Sequence, residues 1–191
     1  MKSTFIVIGG NMKSAFATFR VAPRWIGLVG SEKGIQRIYL PGLKEEELRK
    51  RILSDFPGCR EGADFLSQAQ KELAEYFSGR RVNFDFPLDL SAATPFQKQA
   101  YTVMCSIPFG EVRTYRWLAQ SLGNPKALRA VGGANAKNRW PIVIPCHRVI
   151  GSNGFLTGFS APGGLALKTA LLELEGIPVE KNRVKTKSSN P

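Results

Sequence analysis

The apolar positions at the start of the chain come in short alternating runs, Phe5–Gly10, Ala15–Phe19 and Ile26–Gly30, the first and last punctuated by glycine. A period of two punctuated in this way predicts antiparallel strands joined by hairpins. From Glu45 the period becomes helical, over Glu45–Leu53 and again over Gly62–Phe77, where Phe65, Leu66, Ala69, Leu73, Tyr76 and Phe77 share one side. The polar, proline-containing passage Phe84–Phe96 reads as a linker between two halves. A helix follows at once, with Thr94 as N-cap, Pro95 at the first helical position and Phe96, Ala100, Val103 and Met104 at helical spacing.

Beyond the turn "IPFGEV", the stretch "TYRWLAQSLGNPKALRAVGGANA" has the outline of a helix-turn-helix. Leu118, Ala119 and Leu122 form the apolar stripe of its first helix, Gly123 and Asn124 its turn, and Pro125 opens the second. That second helix is smooth: Ala127, Ala130, Gly132, Gly133 and Ala134 leave only Lys126 and Arg129 as long polar side chains. Major-groove readout uses several Arg, Lys, Asn or Gln side chains. So smooth a helix instead predicts close approach to a groove with little sequence discrimination, and favours the minor groove. A last helix, "GGLALKTALLELEG", buries Leu167, Leu171, Leu172 and Leu174.

Charge sharpens this picture. Residues 1–90 carry 14 basic and 11 acidic side chains, whereas residues 91–191 carry 13 basic and only 4 acidic. A net +9 in the second half favours a polyanionic partner, a nucleic acid or an anionic membrane surface. No window approaches the roughly 18 apolar residues of a membrane span, and Phe5–Gly10 is too short for a secretory signal. The three scattered cysteines, Cys59, Cys105 and Cys146, do not read as a disulfide framework, which agrees with a reducing compartment, and a cytoplasmic or nuclear location is expected. The first half carries no visible chemistry, and Cys59 sits in a Pro-Gly turn.

The chemistry is concentrated in "PIVIPCHRVI", which puts the one histidine of the chain, His147, directly after Cys146. With only three Cys and one His in all, two of them adjacent in sequence, the chain lacks the ligand pairs at two- to four-residue spacing that a structural zinc site prefers. A buried structural cysteine is the commoner fate of such a pair. Against it stand Pro145, which breaks a β-branched strand just before the cysteine, and Arg148, a cation two residues on. Cations and an imidazole lower a thiol's pKa from about 8.5, so the site reads as an activated nucleophile. Neighbours in an extended segment point to opposite sides; either the chain bends there or a water carries the proton from Cys146 to His147. Glu173, Glu175 and Glu180 are the carboxylates after Cys146. Glu175, three and four residues after Leu172 and Leu171, lies against the buried face, while Glu173 falls on the open side beside Thr169. The relay expected is Glu175 to His147 to water to Cys146.

Taken in order, "TPFQ", "IPFGEVRTY", "GNPKALRAVGGA", "IPCHRVI" and "GGLALKTALLELEG" resemble the methylated-DNA-protein-cysteine methyltransferases, the O6-alkylguanine-DNA alkyltransferases. The resemblance runs from about Thr94 to Gly176 and is weak before that. It implies an α+β fold of two domains: a ribonuclease H-like sheet-plus-helix unit over residues 1–88 and a mainly helical winged helix-turn-helix unit over 89–178, followed by a disordered basic tail, 179–191. It implies a monomer that acts on double-stranded DNA containing O6-alkylguanine, with cooperative binding along the DNA left open, and that needs no cofactor or metal. It further implies that the damaged base is flipped out of the stack, since its O6 is unreachable inside a duplex, and that Cys146 would take the alkyl group irreversibly.

By motif position, the resemblance makes His147 and Glu175 the activating relay and Asn138 a hinge between recognition helix and active site. Tyr115 would touch the flipped base and its phosphate and help protonate the departing guanine, while Arg129 fills the gap left in the stack. Lys126, Ala127, Ala130, Gly132 and Ala136 would line the DNA. Backbone groups of Cys146 and Val149 would hold the guanine edge, with Phe159 and Ser160 beside the O6 group. Arg139 stands where the family commonly has proline, Phe159 where some members have tyrosine, and the N-terminal zinc ligands of some members are missing. Two other readings share these residues: a damage sensor that flips the base without repairing it, against which Cys146 argues, and a cysteine hydrolase, against which the basic helix-turn-helix argues.

Overall fold

The computed structural model describes residues 14–184; the run Phe5–Gly10 and tail residues 185–191 lie outside the described residues. Strands β1 (Ala15–Val21), β2 (Arg24–Ser31) and β3 (Gly34–Tyr39) form an antiparallel meander. After helix α1 (Glu45–Asp55), the short β4 (Arg60–Glu61) adds parallel to β1, giving the order β3-β2-β1-β4. Alternation sorts the side chains by face. Phe16 and Val29 pack with Leu48 and Ile52 of α1, while Ala15, Ala17, Ile26 and Leu28 join the main core on the other face. The α1 side is so tight that a Cβ at Gly27 would lie 2.7 Å from Ile52 Cδ1.

Helix α2 (Ser67–Phe77) covers the other face with Ala69, Leu73 and Tyr76. The expected helix over Gly62–Phe77 is shorter than its pattern. Asp64–Leu66 is a 3₁₀ turn, and Phe65 is 38% exposed. Three residues per turn instead of 3.6 rotate Phe65 off the stripe that Leu66 and Ala69 continue.

The passage 84–96 is more than a tether. Ile35 N–H donates to Pro87 O (2.8 Å) and Asp89 N–H to Ile35 O (2.9 Å), so it runs pinned along β3. Helix α3 (Pro95–Cys105) opens with the reciprocal cap its sequence signals, Gln97 N–H to Thr94 Oγ1 (3.2 Å) and Thr94 N–H to Gln97 Oε1 (2.8 Å). Strand β5 (Arg113–Thr114) leads into α4 (Tyr115–Ser121), and α5 (Leu128–Ala136) follows. Pro125 does not open α5. Ala127 N–H donates to Asn124 O (3.0 Å) across a turn, a place the fixed φ of proline suits equally well.

Strand β6 (Val149–Ile150) pairs parallel with β5, and α6 (Gly164–Leu174) closes the unit. The basic tail expected from residue 179 does not begin there. Strands β7 (Val179–Glu180) and β8 (Arg183–Val184) form a hairpin, with Val184 buried and Leu156 N–H donating to Asn182 O (2.8 Å). The apolar Val179 and Val184 give this hairpin a foothold that the surrounding lysines and arginines obscure in the sequence.

The two halves share one core, in which Leu28 and Leu73 belong to the same buried cluster as Met104 and Trp140. Trp140, 1% exposed, donates from Nε1 to Ile35 O (2.6 Å), and Ile38 N–H donates to Arg139 O (2.8 Å). Among the described residues no helix is long and apolar enough to cross a membrane. Trp140→Ala is expected to cost about 3–5 kcal/mol, the usual range for truncating a buried aromatic, read as a fall in the urea midpoint of unfolding.

Candidate active site

The segment carrying Cys146 is bent. Ile142 takes φ 76, a left-handed conformation that costs a β-branched residue about 1–3 kcal/mol. Asn138 holds both ends of this bend: its Oδ1 accepts from Trp140 N–H (2.9 Å) and its Nδ2 donates to Ile144 O (2.8 Å). Pro145 then starts a 3₁₀ turn over Cys146–Arg148. The chain therefore bends at Cys146 and His147, but the bend brings no hydrogen bond from Cys146 to His147 Nδ1.

Cys146 is 4% exposed, His147 0% and Glu175 4%. Glu175 sits at the C-cap of α6, and its Oε1 lies 2.7 Å from His147 Nε2. Burial alone would raise the Glu175 carboxyl, but the hydrogen bonds and charges of His147 and Arg148 hold it down at about 2. An ionised carboxylate at that distance fixes the proton on Nε2 and leaves Nδ1 as the basic nitrogen. Nδ1 has no hydrogen-bond partner among the described residues. Burial pushes the imidazole pKa down, against the opposing pull of Glu175.

Arg148 does not act as the cation of Cys146. Its Nε donates to Glu175 Oε2 (2.8 Å), its Nη2 to Glu175 Oε1 (3.0 Å) and its Nη1 to Ile107 O (2.7 Å). Burial raises the Cys146 thiol, with the nearby Asn138 amide and the Lys168 charge pulling the other way. The resting sulfur is thus a protonated thiol whose proton must be removed during reaction, rather than a standing thiolate.

Several residues of this site were not singled out in the sequence. Lys168 is fully buried, donates from Nζ to Val149 O (2.6 Å) and Thr157 O (3.3 Å), and has its pKa lowered by burial to about 8. Its signal was present, since it lies three and four residues before the buried Leu171 and Leu172. Asn135 donates from Nδ2 to Tyr115 Oη (2.8 Å) and, at 3.5 Å, to Cys146 O. It lies four residues after the buried Val131, hence on the inner face of α5. Glu175 also accepts from Gly110 N–H (3.2 Å) and from the phenol of Tyr76 (2.7 Å), which comes from the half read as having no chemistry.

The remaining candidates lie outward. Tyr115, Arg129, Gly132 and Ala136 line a cleft of about 680 Å³ with Phe159 and Ser160. Lys126, Ala127 and Ala130 lie outside its lining, Lys126 and Ala130 exposed and Ala127 half-buried. Phe159 and Ser160 also border a second cleft, about 640 Å³ between the halves, which reaches Cys146 and Asn138. Ser160 Oγ donates to Ala136 O (3.0 Å), and the Val149 carbonyl already accepts from Lys168. No group of three or more His, Cys, Asp or Glu among the described residues could hold a metal ion.

Residues 95–177 match the family model described as 6-O-methylguanine DNA methyltransferase, DNA binding domain, and residues 26–90 the corresponding ribonuclease-like domain. The methylated-DNA-protein-cysteine methyltransferase of Methanosarcina barkeri is 44% identical over 149 residues, 78% of this chain and 88% of that protein. The chain belongs to this methyltransferase family. The constitutive Bacillus subtilis member is 46% identical over 112 residues, 59% of this chain and 67% of that protein. Among solved structures, the Mycobacterium tuberculosis O6-methylguanine methyltransferase superposes with a TM-score of 0.70 at 35% identity, covering 85% of this chain and 92% of that one. A structure of the M. tuberculosis protein in complex with DNA gives the same TM-score and identity over 84% and 92%.

For this member of the family, Arg148→Met leaves Glu175 short of its main cation and is expected to destabilise the fold by about 3–5 kcal/mol in urea unfolding. The Glu175 carboxyl, lowered from 4.5 to about 2, contributes stability that is complete above about pH 4.5 and is lost as the pH falls towards 2. Unfolding midpoints measured across that window should therefore fall, and Glu175→Gln should flatten the fall.

Proposed function

We propose that this chain repairs O6-alkylguanine in duplex DNA by transferring the alkyl group irreversibly to its own Cys146. The observation that carries this reading is a buried cysteine on a turn whose next residue is an imidazole hydrogen-bonded to a buried carboxylate. His147 Nδ1 takes the thiol proton through a bridging water, and Glu175 stabilises the imidazolium that results. Sγ then attacks the alkyl carbon in line; the S–C bond forms as the C–O6 bond breaks, and the electron pair leaves on the guanine. Tyr115, oriented by Asn135 and with its phenol pKa raised by burial, supplies a proton to the departing base. The thioether does not hydrolyse, so each monomer acts once and needs no cofactor.

The outer face of α5 suits DNA. Gly132 and Gly133 each cost the helix about 1 kcal/mol relative to alanine, yet a Cβ at either would meet nothing within 4 Å in the protein. Protein packing therefore does not require these glycines, whereas a groove wall approaching the backbone would. Arg129, exposed beside them, fills the stack behind the flipped base, while Lys126 meets a phosphate. We assign residues 14–88 and 89–184 as the two domains among the described residues, the second extended past the expected 178 by its hairpin, with the cleft between them leading to Cys146.

Mixing the protein with an equimolar duplex containing one O6-methylguanine should add one CH2 unit to the Cys146 peptide in mass spectrometry, with guanine restored and no second turnover. Cys146→Ala should abolish transfer while retaining binding. Tight binding by the native protein with no mass change would favour the damage-sensor reading. Arg129→Ala should slow repair in duplex by about tenfold or more, equivalent to at least 1.4 kcal/mol, while leaving the reaction with free O6-benzylguanine nearly unchanged. Equal losses on both substrates would remove the flipping role.

A further inference from the structure

Among the described residues, the phenol of Tyr76 is the one side chain from the first half that hydrogen-bonds to the buried acid and base. Its Oη donates to Glu175 Oε1 at 2.7 Å and lies 3.3 Å from His147 Nε2. The same Oε1 lies 2.7 Å from Nε2 and 3.0 Å from Arg148 Nη2. Three donors therefore converge on one carboxylate oxygen, and one of them comes from α2, 99 residues before Glu175 in the chain.

The ring has little freedom to leave. Tyr76 is 1% exposed, with Phe77 edge-on at 5.3 Å and Phe109 edge-on at 6.2 Å between ring centroids. Burial and the neighbouring Glu175 push its phenol well above the ordinary tyrosine range, so it remains a neutral donor wherever the protein is folded. A buried phenol needs some acceptor, and a bare structural role would be met by any carbonyl. This phenol instead bonds to the atom that faces the imidazole.

We propose that Tyr76 is a positioning residue for alkyl transfer, through which the ribonuclease-like half sets the basicity of His147 by drawing charge from Glu175 Oε1. A carboxylate oxygen that already accepts from a phenol holds an imidazolium less strongly than a bare one. Tyr76 thus acts in the same direction as the two cations near the ring, Arg148 from the same turn and Lys168 from α6, and against Glu175 at the end of α6. Cys146, one residue before His147, is the remaining titratable group at this centre and couples to Tyr76 as well. The consequence is a histidine kept neutral, with Nδ1 free to accept the thiol proton.

This inference rests on the proposed transfer reaction for its kinetic meaning, but its first test does not need that reaction. The chain has one histidine, so a single imidazole resonance reports His147 in the full-length protein. Tyr76→Phe keeps the ring and removes only the donor. The imidazole should then titrate at higher pH, by about one unit, a tenfold change in its protonation equilibrium. The acidic limb of the single-turnover rate profile on O6-methylguanine duplex should move upward by the same amount. Fluorinated tyrosine placed at position 76, a stronger donor of nearly the same shape, should move both in the opposite direction, and it serves if the phenylalanine variant does not fold. An imidazole titration that is the same in the native protein and in either folded variant, or that is absent in both, overturns the proposal even if the rate drops. Titration shifts of the expected signs in a protein that transfers no alkyl group would leave Tyr76 in its role and remove the repair reading instead.

Discussion

One buried carboxylate sets the terms for everything around it. Glu175 has left water entirely, and an ion in that position costs several kcal/mol unless its lone pairs are filled. It is surrounded by donors from three parts of the chain, Tyr76 on α2, Gly110 in the turn before β5, and His147 and Arg148 on the turn after Pro145, with α6 presenting the carboxylate itself. Each donor constrains an element. The last turn of α6, the bend at Cys146 and the packing of α2 against the second half must all agree in position for the charge to remain buried.

The thiol has the opposite requirement. Burial keeps Cys146 protonated, which protects a nucleophile that can be used once from adventitious oxidation and alkylation, since the thiolate is the reactive form. Reactivity then depends on the relay beside it rather than on a permanently lowered pKa. The strained backbone at Ile142, held at both ends by Asn138, serves the same end by turning the cysteine out of the strand its sequence suggests.

The junction between the halves is accordingly well built. Ile35 O accepts from both Asp89 N–H and Trp140 Nε1, so β3, the connecting passage and the segment leading to Cys146 meet at one carbonyl. The first half is thereby part of the reactive centre. Its sheet positions α2, and α2 positions Tyr76.

The sequence by itself determined the outline: strands by alternation, helices by period, the Thr94 cap, the smooth second helix of the helix-turn-helix, and the pairing of Glu175 with His147 from its place against Leu171 and Leu172. These are local signals, carried by residues within one or two turns of each other. Tertiary structure alone decided the partner of Arg148, two residues from Cys146 in sequence but bonded to Glu175 27 residues away. It also decided the role of Tyr76, whose inward direction is legible from Leu73 but whose acceptor lies in the other half. The Val179–Val184 hairpin belongs to the same class, because its foothold on Gly154 and Leu156 is invisible to a pattern that registers only lysines and arginines. Periodicity specifies which face of an element is buried; which atoms a buried polar group meets there depends on how distant elements pack, and no local pattern encodes it.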